Sequence, residues 1–282
     1  MTVIEHIVDM QRWADRARCD GTRIGLVPTM GFLHEGHLSL IRQAQEQADR
    51  VVVSVFVNPT QFGPEEDFQQ YPKDVERDLR LVQITGGEVV FVPPIEEMYP
   101  KGYSTYVQVE GLTEGLCGAS RPGHFRGVAT VVTKLFCAVR PHLAVFGQKD
   151  AQQAFVIRRM VRDLNMDIDI IIAPTVREPD GLAMSSRNVY LSPKERPHAT
   201  VLFQALKEAQ ASIESGERRA DRIIQTMRER ILAEPVQKAI DYIAVVDTES
   251  LQSVMHLKGE VLIALAVWIG KARLIDNIIV HV

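Results

Sequence analysis

The chain is short of cysteine, of long apolar runs and of positive charge, and each shortage excludes a class of protein. Its three cysteines, Cys19, Cys117 and Cys137, lie far apart among 282 residues, so no disulfide framework is expected and a reducing, cytoplasmic setting is favoured. Cys137 lies inside the apolar run 131–139 and is expected to be a packed thiol. The longest apolar run, residues 261–269, is too short to cross a bilayer.

The sequence also lacks the signs of a targeting segment and of a nucleic-acid surface. Residues 1–19 are charged from Glu5 onward and have no apolar signal-peptide core. The net charge of −4 argues against non-specific binding to nucleic acid, which depends on excess positive charge. What remains is typical of a globular protein of one large or two medium domains: 46% of the residues are hydrophobic and 24% are charged.

The strongest local pattern is a predicted strand–helix–strand unit within residues 24–58. Residues 24–27 are apolar and predict a buried strand, which a turn containing Pro28 and Gly31 ends. Apolar residues then recur at helical spacing, at Leu38, Ile41, Ala44 and Ala48. Residues 51–57 form a β-branched run that predicts a second strand, buried on both faces. This is a βαβ unit, and its crossover should be right-handed.

Two histidines, His34 and His37, fall in the first turn of this predicted helix. Ligands of open α/β sheets bind at the carboxyl ends of the strands, and helix N-termini attract phosphate. Imidazole N–H groups can donate to phosphate oxygens, and they do so more strongly as negative charge develops. A surface helix that merely carries two histidines is the alternative. A zinc site is not predicted, because no third ligand stands at a recognisable spacing.

Polar residues also follow two other predicted strands. Asn58 and Gln61 come after the second strand, where their amides could bind a small polar ligand or could cap the turn. A strand at 142–146 leads to Lys149, which could reach a phosphate or carboxylate or could be solvated. Gln153 would lie in the first turn of the next helix, for which Asp150 is a candidate N-cap.

Two loops remain open to two interpretations each. The segment SRPGHFRG carries Arg121, His124 and Arg126, and it could face an anion or be a solvated loop. Residues 184–187, Met-Ser-Ser-Arg, precede a helix. Hydroxyls and a guanidinium suit a lid that closes on phosphates, but a polar connector with a salt-bridging arginine would look the same.

The remaining patterns predict an α/β protein with a Rossmann-like parallel sheet in residues 1–175 and a smaller α+β lid domain in residues 176–282. We predict further helices at 3–17, 74–83, 128–140, 151–164, 193–215 and 219–233. Further strands are predicted at 88–92, 169–176, 241–246, 261–268 and 274–280, and a strand is possible at 103–109. Residues 95–127 are otherwise expected to be irregular.

The order of four segments resembles the pantoate–β-alanine ligase (pantothenate synthetase) family across nearly the whole chain. They are PTMGFLHEGH, VNPTQF, GQKDAQQ and PTVREPDGLAMSSRN. HEGH is similar to the HIGH signature of class I aminoacyl-tRNA synthetases and nucleotidylyltransferases, and MSSRN is similar to their KMSKS loop. The HIGH-like match specifies only that superfamily, whereas VNPTQF and GLAMSSRN specify the ligase. Ala151 departs from the tyrosine that is more common in this family.

The resemblance implies an ATP-dependent condensation of (R)-pantoate with β-alanine, giving pantothenate, AMP and pyrophosphate through an enzyme-bound pantoyl adenylate. ATP is then a substrate and Mg²⁺ accompanies it, bound mostly through phosphate oxygens. No tightly bound organic cofactor and no metal-ligating residues are expected. The family is typically a cytoplasmic homodimer that acts on small molecules, without a nucleic-acid or membrane partner.

The resemblance also implies roles for individual residues. His34, His37, Lys149 and Arg187 would be catalytic, with His37 donating to the developing charge. The ATP-binding residues would be Met30, Gly31, Phe32, Leu33, His34, Glu35, Gly36, His37, Gly147, Gln148, Lys149, Asp150, Val176, Met184, Ser185, Ser186 and Arg187. Gln61 and Gln153 would hold pantoate, and Gln61 would also lie near β-alanine. Further candidates for that pocket are Asn58, Tyr71, Arg121 and His124.

Three other functions compete with this one. A nucleotidylyltransferase that releases its adenylate would share the HxGH turn but would lack the paired Gln61 and Gln153. A truncated tRNA synthetase-like RNA binder is disfavoured by the net acidity and by the lack of a basic or aromatic-rich appended domain. A non-catalytic scaffold would not need polar residues at three separate strand ends.

Overall fold

The computed structural model describes residues 1–64 and 66–282. The described chain forms two compact units. The first unit comprises Met1–Glu110, Arg121–Gly147 and Val156–Pro174, and the second comprises Gly111–Ser120, Gln148–Phe155 and Thr175–Val282. The domain boundary between residues 175 and 176 stays a prediction.

Six parallel strands form the sheet of the first unit within the described residues. They are β1 (Thr2–Ile4), β2 (Ile24–Thr29), β3 (Arg50–Val55), β4 (Val89–Phe91), β5 (Leu143–Gly147) and β6 (Asp169–Ala173). Their order across the sheet is β1-β4-β3-β2-β5-β6, and each neighbouring pair runs parallel. This confirms the predicted α/β class with a Rossmann-like parallel sheet.

Helices follow most of these strands along the chain. In order they are α1 (Ile7–Cys19), α2 (Glu35–Gln45), α3 (Val75–Ile84), α4 (Ile95–Met98), α5 (Cys117–Ser120), α6 (His124–Val139), α7 (Ala151–Asp163), α8 (Val201–Glu214) and α9 (Ala220–Leu232). Short 3-10 turns occur at Pro59–Gln61, Gln148–Asp150, Ser186–Tyr190 and Arg196–Thr200. None of the helices in the described ranges is long and apolar enough to span a membrane.

The core of the first unit forms because β2 and β3 are apolar on both faces. Val27, Val53 and Val90 are fully buried, as expected for parallel strands that helices cover on both sides. The predicted apolar stripe of α2 contributes Leu38, Ile41 and Ala44 to the same cluster, and Ala48 packs against it. Burial of this stripe fixes the helix that carries the two histidines.

The sheet reverses its strand order between β2 and β5. From β2 the chain moves to β3 and β4 on one side, and it later returns to β5 and β6 on the other. Gly25 pairs with Leu143 in the register of β2 and β5. Such a reversal opens a crevice at the carboxyl ends of the two strands, where open α/β sheets bind ligands. The turn after Thr29 therefore lies where a ligand is expected.

The second unit contains an antiparallel sheet of β7 (Lys238–Asp247), β8 (Glu260–Ile269) and β9 (Ala272–His281), in that order. Helices α8 and α9 pack on it, and the shared core includes Leu206, Met227 and Ile263. The predicted α+β character of this C-terminal part is confirmed. Its role as a lid stays a prediction.

The structure corrects three local predictions. Residues 2–4 form β1 rather than the start of a helix, and α1 begins at Ile7. Helix α6 begins at His124, one turn earlier than the predicted residue 128. Cys137 is exposed rather than packed, because it lies on the face of α6 opposite the buried Phe136 and Val139.

Residues 103–109 form no strand, so the possible strand at this segment is a fourth expectation that the structure overturns. Their aromatic rings pack edge-on in a row: Tyr99 lies 5.1 Å from Tyr103, which lies 5.5 Å from Tyr106. Cations cover two of these rings, Lys134 at 4.8 Å from Tyr103 and Arg126 at 3.8 Å from Tyr106. Ring and cation contacts therefore hold this segment in place of strand pairing.

Candidate active site

The turn after β2 requires backbone conformations that favour glycine. Gly31 has a φ of +82° and Phe32 has a φ of +50°. A Cβ atom on Gly31 would lie 3.0 Å from Asp78 Oδ2 and 3.0 Å from Val55 Cγ1, so a side chain there would crowd both. Thr29 braces the turn, since its Oγ1 donates to the carbonyl of Ser54 and accepts from the N–H of Gly31.

A buried carboxylate, Asp78, holds this turn from helix α3. The N–H groups of Phe32 and Leu33 donate to its two oxygens, each at 2.7 Å. Asp78 is 1% exposed, and Arg77 Nη1 lies 3.8 Å from Oδ1. Burial raises the pKa of Asp78, although the two N–H bonds oppose that rise. The carboxylate thus fixes the path of the chain into the histidine-bearing helix.

His34 and His37 are held together at the start of α2. His34 is the N-cap residue, and its backbone N–H donates to His37 Nδ1 at 3.3 Å. The two rings lie 4.1 Å apart between centroids, tilted by 38°. Because Nδ1 of His37 accepts this bond, Nε2 carries the proton in the neutral ring. His37 can therefore act as a hydrogen-bond donor at the amino end of the helix.

Asn58 shapes the turn that follows β3. Its Oδ1 accepts from Tyr99 Oη at 2.7 Å and from Thr60 Oγ1 at 2.9 Å. Its Nδ2 donates to Gln61 Oε1 at 3.0 Å, and Gln61 Nε2 lies 3.0 Å from Met30 Sδ. Asn58 therefore caps the turn, as the capping alternative predicted, and it also orients Gln61. The predicted pantoate residue Gln61 and the predicted ATP residue Met30 are in contact.

Helix α6 packs directly onto this turn at Gly127. A Cβ atom there would lie 2.3 Å from the carbonyl oxygen of Thr60 and 2.7 Å from Gln61 Cα. Asn58 Nδ2 also donates to the Gly127 carbonyl at 3.1 Å. Only glycine allows this approach, so Gly127 determines how close the helix lies to Gln61. Nothing in the local sequence marks it among its neighbours.

Arg121 and His124 bind the backbone of Gln61. Arg121 pairs with Glu66 through Nε at 2.8 Å and Nη2 at 2.6 Å. His124 Nδ1 donates to the Gln61 carbonyl at 2.8 Å, and its Nε2 accepts from Arg121 Nη1 at 3.0 Å. Burial alone would raise the pKa of Glu66, but the hydrogen bond and charge of Arg121 outweigh it, so that pKa lies below its usual value.

The charged side chains of the SRPGHFRG loop bind other parts of the protein. The charge of Arg121 is matched by Glu66, and Arg126 stacks on Tyr106. Tyr71 is buried and packs edge-on against Phe62 at 5.9 Å. The loop is thus an internal support for the turn at Gln61.

In the second unit, the Gln148–Asp150 turn precedes α7. Lys149 Nζ lies 3.6 Å from Asp150 Oδ2, and the lysine side chain is 19% exposed. Gln153 lies in the first turn of α7 and is partly buried. Ala151, at the position where the family more often has tyrosine, is buried.

Residues 176–187 form a small hairpin followed by a short turn. The N–H of Met184 donates to the Val176 carbonyl at 3.0 Å, so two predicted ATP-binding residues are neighbours. Ser185 caps the next turn by accepting from the N–H of Arg187 at 3.3 Å. Asn188 Nδ2 donates to the Ala183 carbonyl at 3.1 Å.

The structure thus groups the predicted residues within each unit. In the first unit it brings Met30, His34, His37 and Gln61 to the ends of β2 and β3. In the second unit it forms one turn at 148–150 and one hairpin at 176–184. A shared action of His37 with Lys149 and Arg187 stays a prediction. Sequence reasoning missed Asp78 and Gly127, whose partners lie far along the chain.

A Rossmann-like sheet with an HxxH turn at its strand reversal defines a nucleotide-binding α/β enzyme of the HIGH class. The family model described as pantoate–β-alanine ligase matches residues 2–279. The chain belongs to the pantoate–β-alanine ligase family. It is therefore an enzyme, and its activity is the ligation that the family name describes; both confirm what the sequence resemblance implied.

Relatives in sequence and structure agree with this assignment. The chain is 60% identical to the pantothenate synthetase of Heliobacterium modesticaldum, with 100% of both chains covered. It is similar in fold to pantothenate synthetase from Thermus thermophilus, with a TM-score of 0.93, 46% identity and 99% of each chain covered. It is also similar to pantoate–β-alanine ligase from Francisella tularensis, solved with β,γ-ATP and β-alanine, with a TM-score of 0.79, 32% identity and coverage of 99% of this chain and 97% of that one.

Proposed function

We propose that the chain condenses (R)-pantoate with β-alanine in two steps, through an enzyme-bound pantoyl adenylate, with the HxxH turn acting on the triphosphate. The observation that carries the proposal is the pair His34 and His37 at the amino end of α2. That turn is held by Asp78 where the parallel sheet reverses its order. A carboxylate is a poor acyl donor, and adenylation supplies the leaving group that makes it a good one.

In the first step a pantoate carboxylate oxygen attacks the α-phosphorus of ATP. The bond from that phosphorus to the bridging oxygen breaks, and pyrophosphate leaves with the electron pair. Negative charge grows on the phosphate oxygens during this step, so donors placed beforehand stabilise the transition state. The Nε2–H of His37 and the positive end of the α2 dipole supply such donors, and His34 contacts the phosphates beside it.

We assign further ATP contacts to residues of the second unit. Lys149 and Arg187 neutralise the triphosphate, and Ser185 and Ser186 donate hydroxyl hydrogen bonds to it. Asp150 binds the ribose. Val176 contacts adenine through its backbone, next to Met184 in the same hairpin. Closure of the 184–187 loop over the phosphates would exclude water from the reactive adenylate.

In the second step the amine of β-alanine attacks the acyl carbon of the adenylate. The new C–N bond forms, the amine loses a proton, and AMP leaves with the electrons of the acyl–oxygen bond. Gln61 and Gln153 hold pantoate, and Gln61 also lies near β-alanine. The support that Asn58 gives the Gln61 amide favours this role, because positioning of the two reactants is a large part of the rate enhancement.

Mg²⁺ enters with ATP and is bound mostly by phosphate oxygens. Within residues 1–64 and 66–282 there is no group of three or more His, Cys, Asp or Glu side chains that could hold a metal ion. We further propose that the enzyme is a cytoplasmic homodimer, as is typical of the family.

Isotope exchange between pyrophosphate and ATP tests the proposal. Exchange should require pantoate but not β-alanine, and AMP should form when β-alanine is added. His37→Ala should lower the exchange rate by roughly 10²-fold or more, whereas His6→Ala, at an exposed site, should leave it near normal. Equal exchange without pantoate would contradict the ligase mechanism, and adenylate release without AMP formation would instead favour a nucleotidylyltransferase.

A further inference from the structure

A buried amide on β9, Asn277, binds the backbone of the turn that carries Lys149. Its Nδ2 donates to the carbonyls of Gln148 and Lys149, at 2.9 and 3.0 Å. Gln148 Nε2 donates back to Asn277 Oδ1 at 3.4 Å. Asn277 is 3% exposed, and both of its amide hydrogens are used. Asn277 therefore ties this turn to the antiparallel sheet.

The preceding residue on β9, Asp276, binds the second predicted ATP segment. Arg177 donates to both of its carboxylate oxygens, at 2.6 and 2.9 Å. Asp276 is buried, and its Oδ1 also accepts from the backbone N–H of Asn277 at 2.8 Å. Arg177 in turn donates to the Gly181 carbonyl at 3.1 Å and stacks on the ring of Phe203 at 3.9 Å.

We propose that Asp276 and Asn277 are positioning residues for ATP, which set the 148–149 turn and the 176–184 hairpin in one fixed relation. The inference rests on the proposed roles of Lys149 and Val176. Asp276 holds the hairpin through Arg177, beside Val176, while Asn277 holds the turn through its two carbonyls. Neighbouring residues on one strand thus control a phosphate-binding lysine and an adenine-binding backbone.

Physical chemistry favours a positioning role over simple stabilisation. A buried ion pair adds little net stability compared with packed apolar side chains, because desolvation offsets the attraction. A lysine ammonium stands on a flexible four-carbon stem, so its reach depends on where its backbone is fixed. A misplacement of about 1 Å can cost roughly 10²-fold in rate. An amide that fixes the Lys149 carbonyl therefore acts on adenylation, in which the triphosphate takes part.

The test separates the two half-reactions in Asn277→Asp. This variant keeps the shape but removes the donor, so two carbonyls would face a carboxylate. Pantoate-dependent pyrophosphate exchange should fall by about tenfold or more. Turnover of chemically prepared pantoyl adenylate with β-alanine should fall less than the exchange does, because the adenylate lacks the β- and γ-phosphates that Lys149 contacts. Lys149→Ala should lower exchange, and Asn277→Asp should add little to it in the double variant.

Ile223→Val is the matched control, because it removes one methylene group from the buried core of the same unit, on helix α9, and should leave both half-reactions near normal. Parallel loss of both half-reactions in Asn277→Asp, or additive loss with Lys149→Ala, would overturn the inference. Normal exchange in Asn277→Asp beside a defective Lys149→Ala would also overturn it and leave the proposed function intact. Normal exchange in Lys149→Ala would refute that residue's proposed role, and the inference with it.

Discussion

Two buried aspartates, one in each unit, support predicted ATP-binding segments in different ways. Asp78 accepts directly from two backbone N–H groups of the histidine turn. Asp276 instead pairs with a guanidinium, and Arg177 transmits the contact to the hairpin. The first arrangement fixes a loop by its own backbone. In the second arrangement a charged side chain, Arg177, lies between Asp276 and the hairpin. Loss of Arg177 therefore leaves Asp276 without its counter-charge and also leaves an unfilled space.

This difference predicts that the second unit is the more sensitive to removal of one partner. Arg177→Met should leave Asp276 buried without its counter-charge and should lower the free energy of unfolding by about 3–5 kcal/mol. The midpoint of urea unfolding measures this loss. Arg222→Met, at an exposed pair with Glu217, should leave the unfolding midpoint near that of the unmodified chain. Similar losses in the two variants would show that burial of the Asp276–Arg177 pair does not make the second unit more sensitive.

Asp78→Asn should have a smaller effect on stability, because the charge that loses its partner, Arg77, is 39% exposed and stays in reach of water. The asparagine oxygen can accept from one N–H, but its NH₂ group would face the other, at a cost of about 1–3 kcal/mol. Pantoate-dependent pyrophosphate exchange should fall as well, since the turn leading to His37 loses its support. Glu76→Gln, an exposed change on the same helix, should affect neither. Exchange at the normal rate in Asp78→Asn would show that the turn holds its shape unaided.

The smallest expected effect is a difference in pH dependence between two carboxylates of the first unit. The pKa of Glu66 lies below its usual value of 4.5, so its contribution to stability is present above pH 4.5 and is lost as the pH falls through the lowered pKa. The pKa of Asp78 is raised above 3.8, so its contribution is present below pH 3.8 and is lost as the pH rises through the raised pKa.

Urea unfolding across the acid range checks these opposite signs. The stability difference between the unmodified chain and Glu66→Gln should shrink as the pH falls. The difference between the unmodified chain and Asp78→Asn should change in the opposite direction. If the stability difference changed equally with pH for both variants, the ion pair with Arg121 would not be what gives Glu66 a pH dependence opposite to that of Asp78.

The sequence predicted those parts of the fold that local periodicity determines. The apolar spacing of Leu38, Ile41 and Ala44 marked α2, and the β-branched run at 51–57 marked β3. The position of the two histidines at the start of a helix was predicted because it is itself a local pattern relative to a strand end. The three residues of β1 escaped because Val3 and Ile4 also fit the helical spacing of the segment that follows.

The supports of the site could not be predicted, because their partners lie far along the chain. Asp78 is 45 residues from Leu33, and Asp276 is 99 residues from Arg177. Asp78 stands among charged residues of α3 and resembles a solvated face, although it is buried. Only the assembled sheet shows which carboxylate turns inward.

The hydrogen bond from the His34 backbone to His37 bears on the design of small molecules against this turn. Nδ1 of His37 accepts from the main chain, so the hydrogen of the neutral ring is on Nε2, and the peptide groups at the start of a helix carry N–H donors. An inhibitor scaffold that enters here should therefore present lone pairs, such as sulfonyl or carbonyl oxygens. The N–H groups of an amine-rich scaffold would face the N–H donors of the turn, and donors do not form hydrogen bonds with each other.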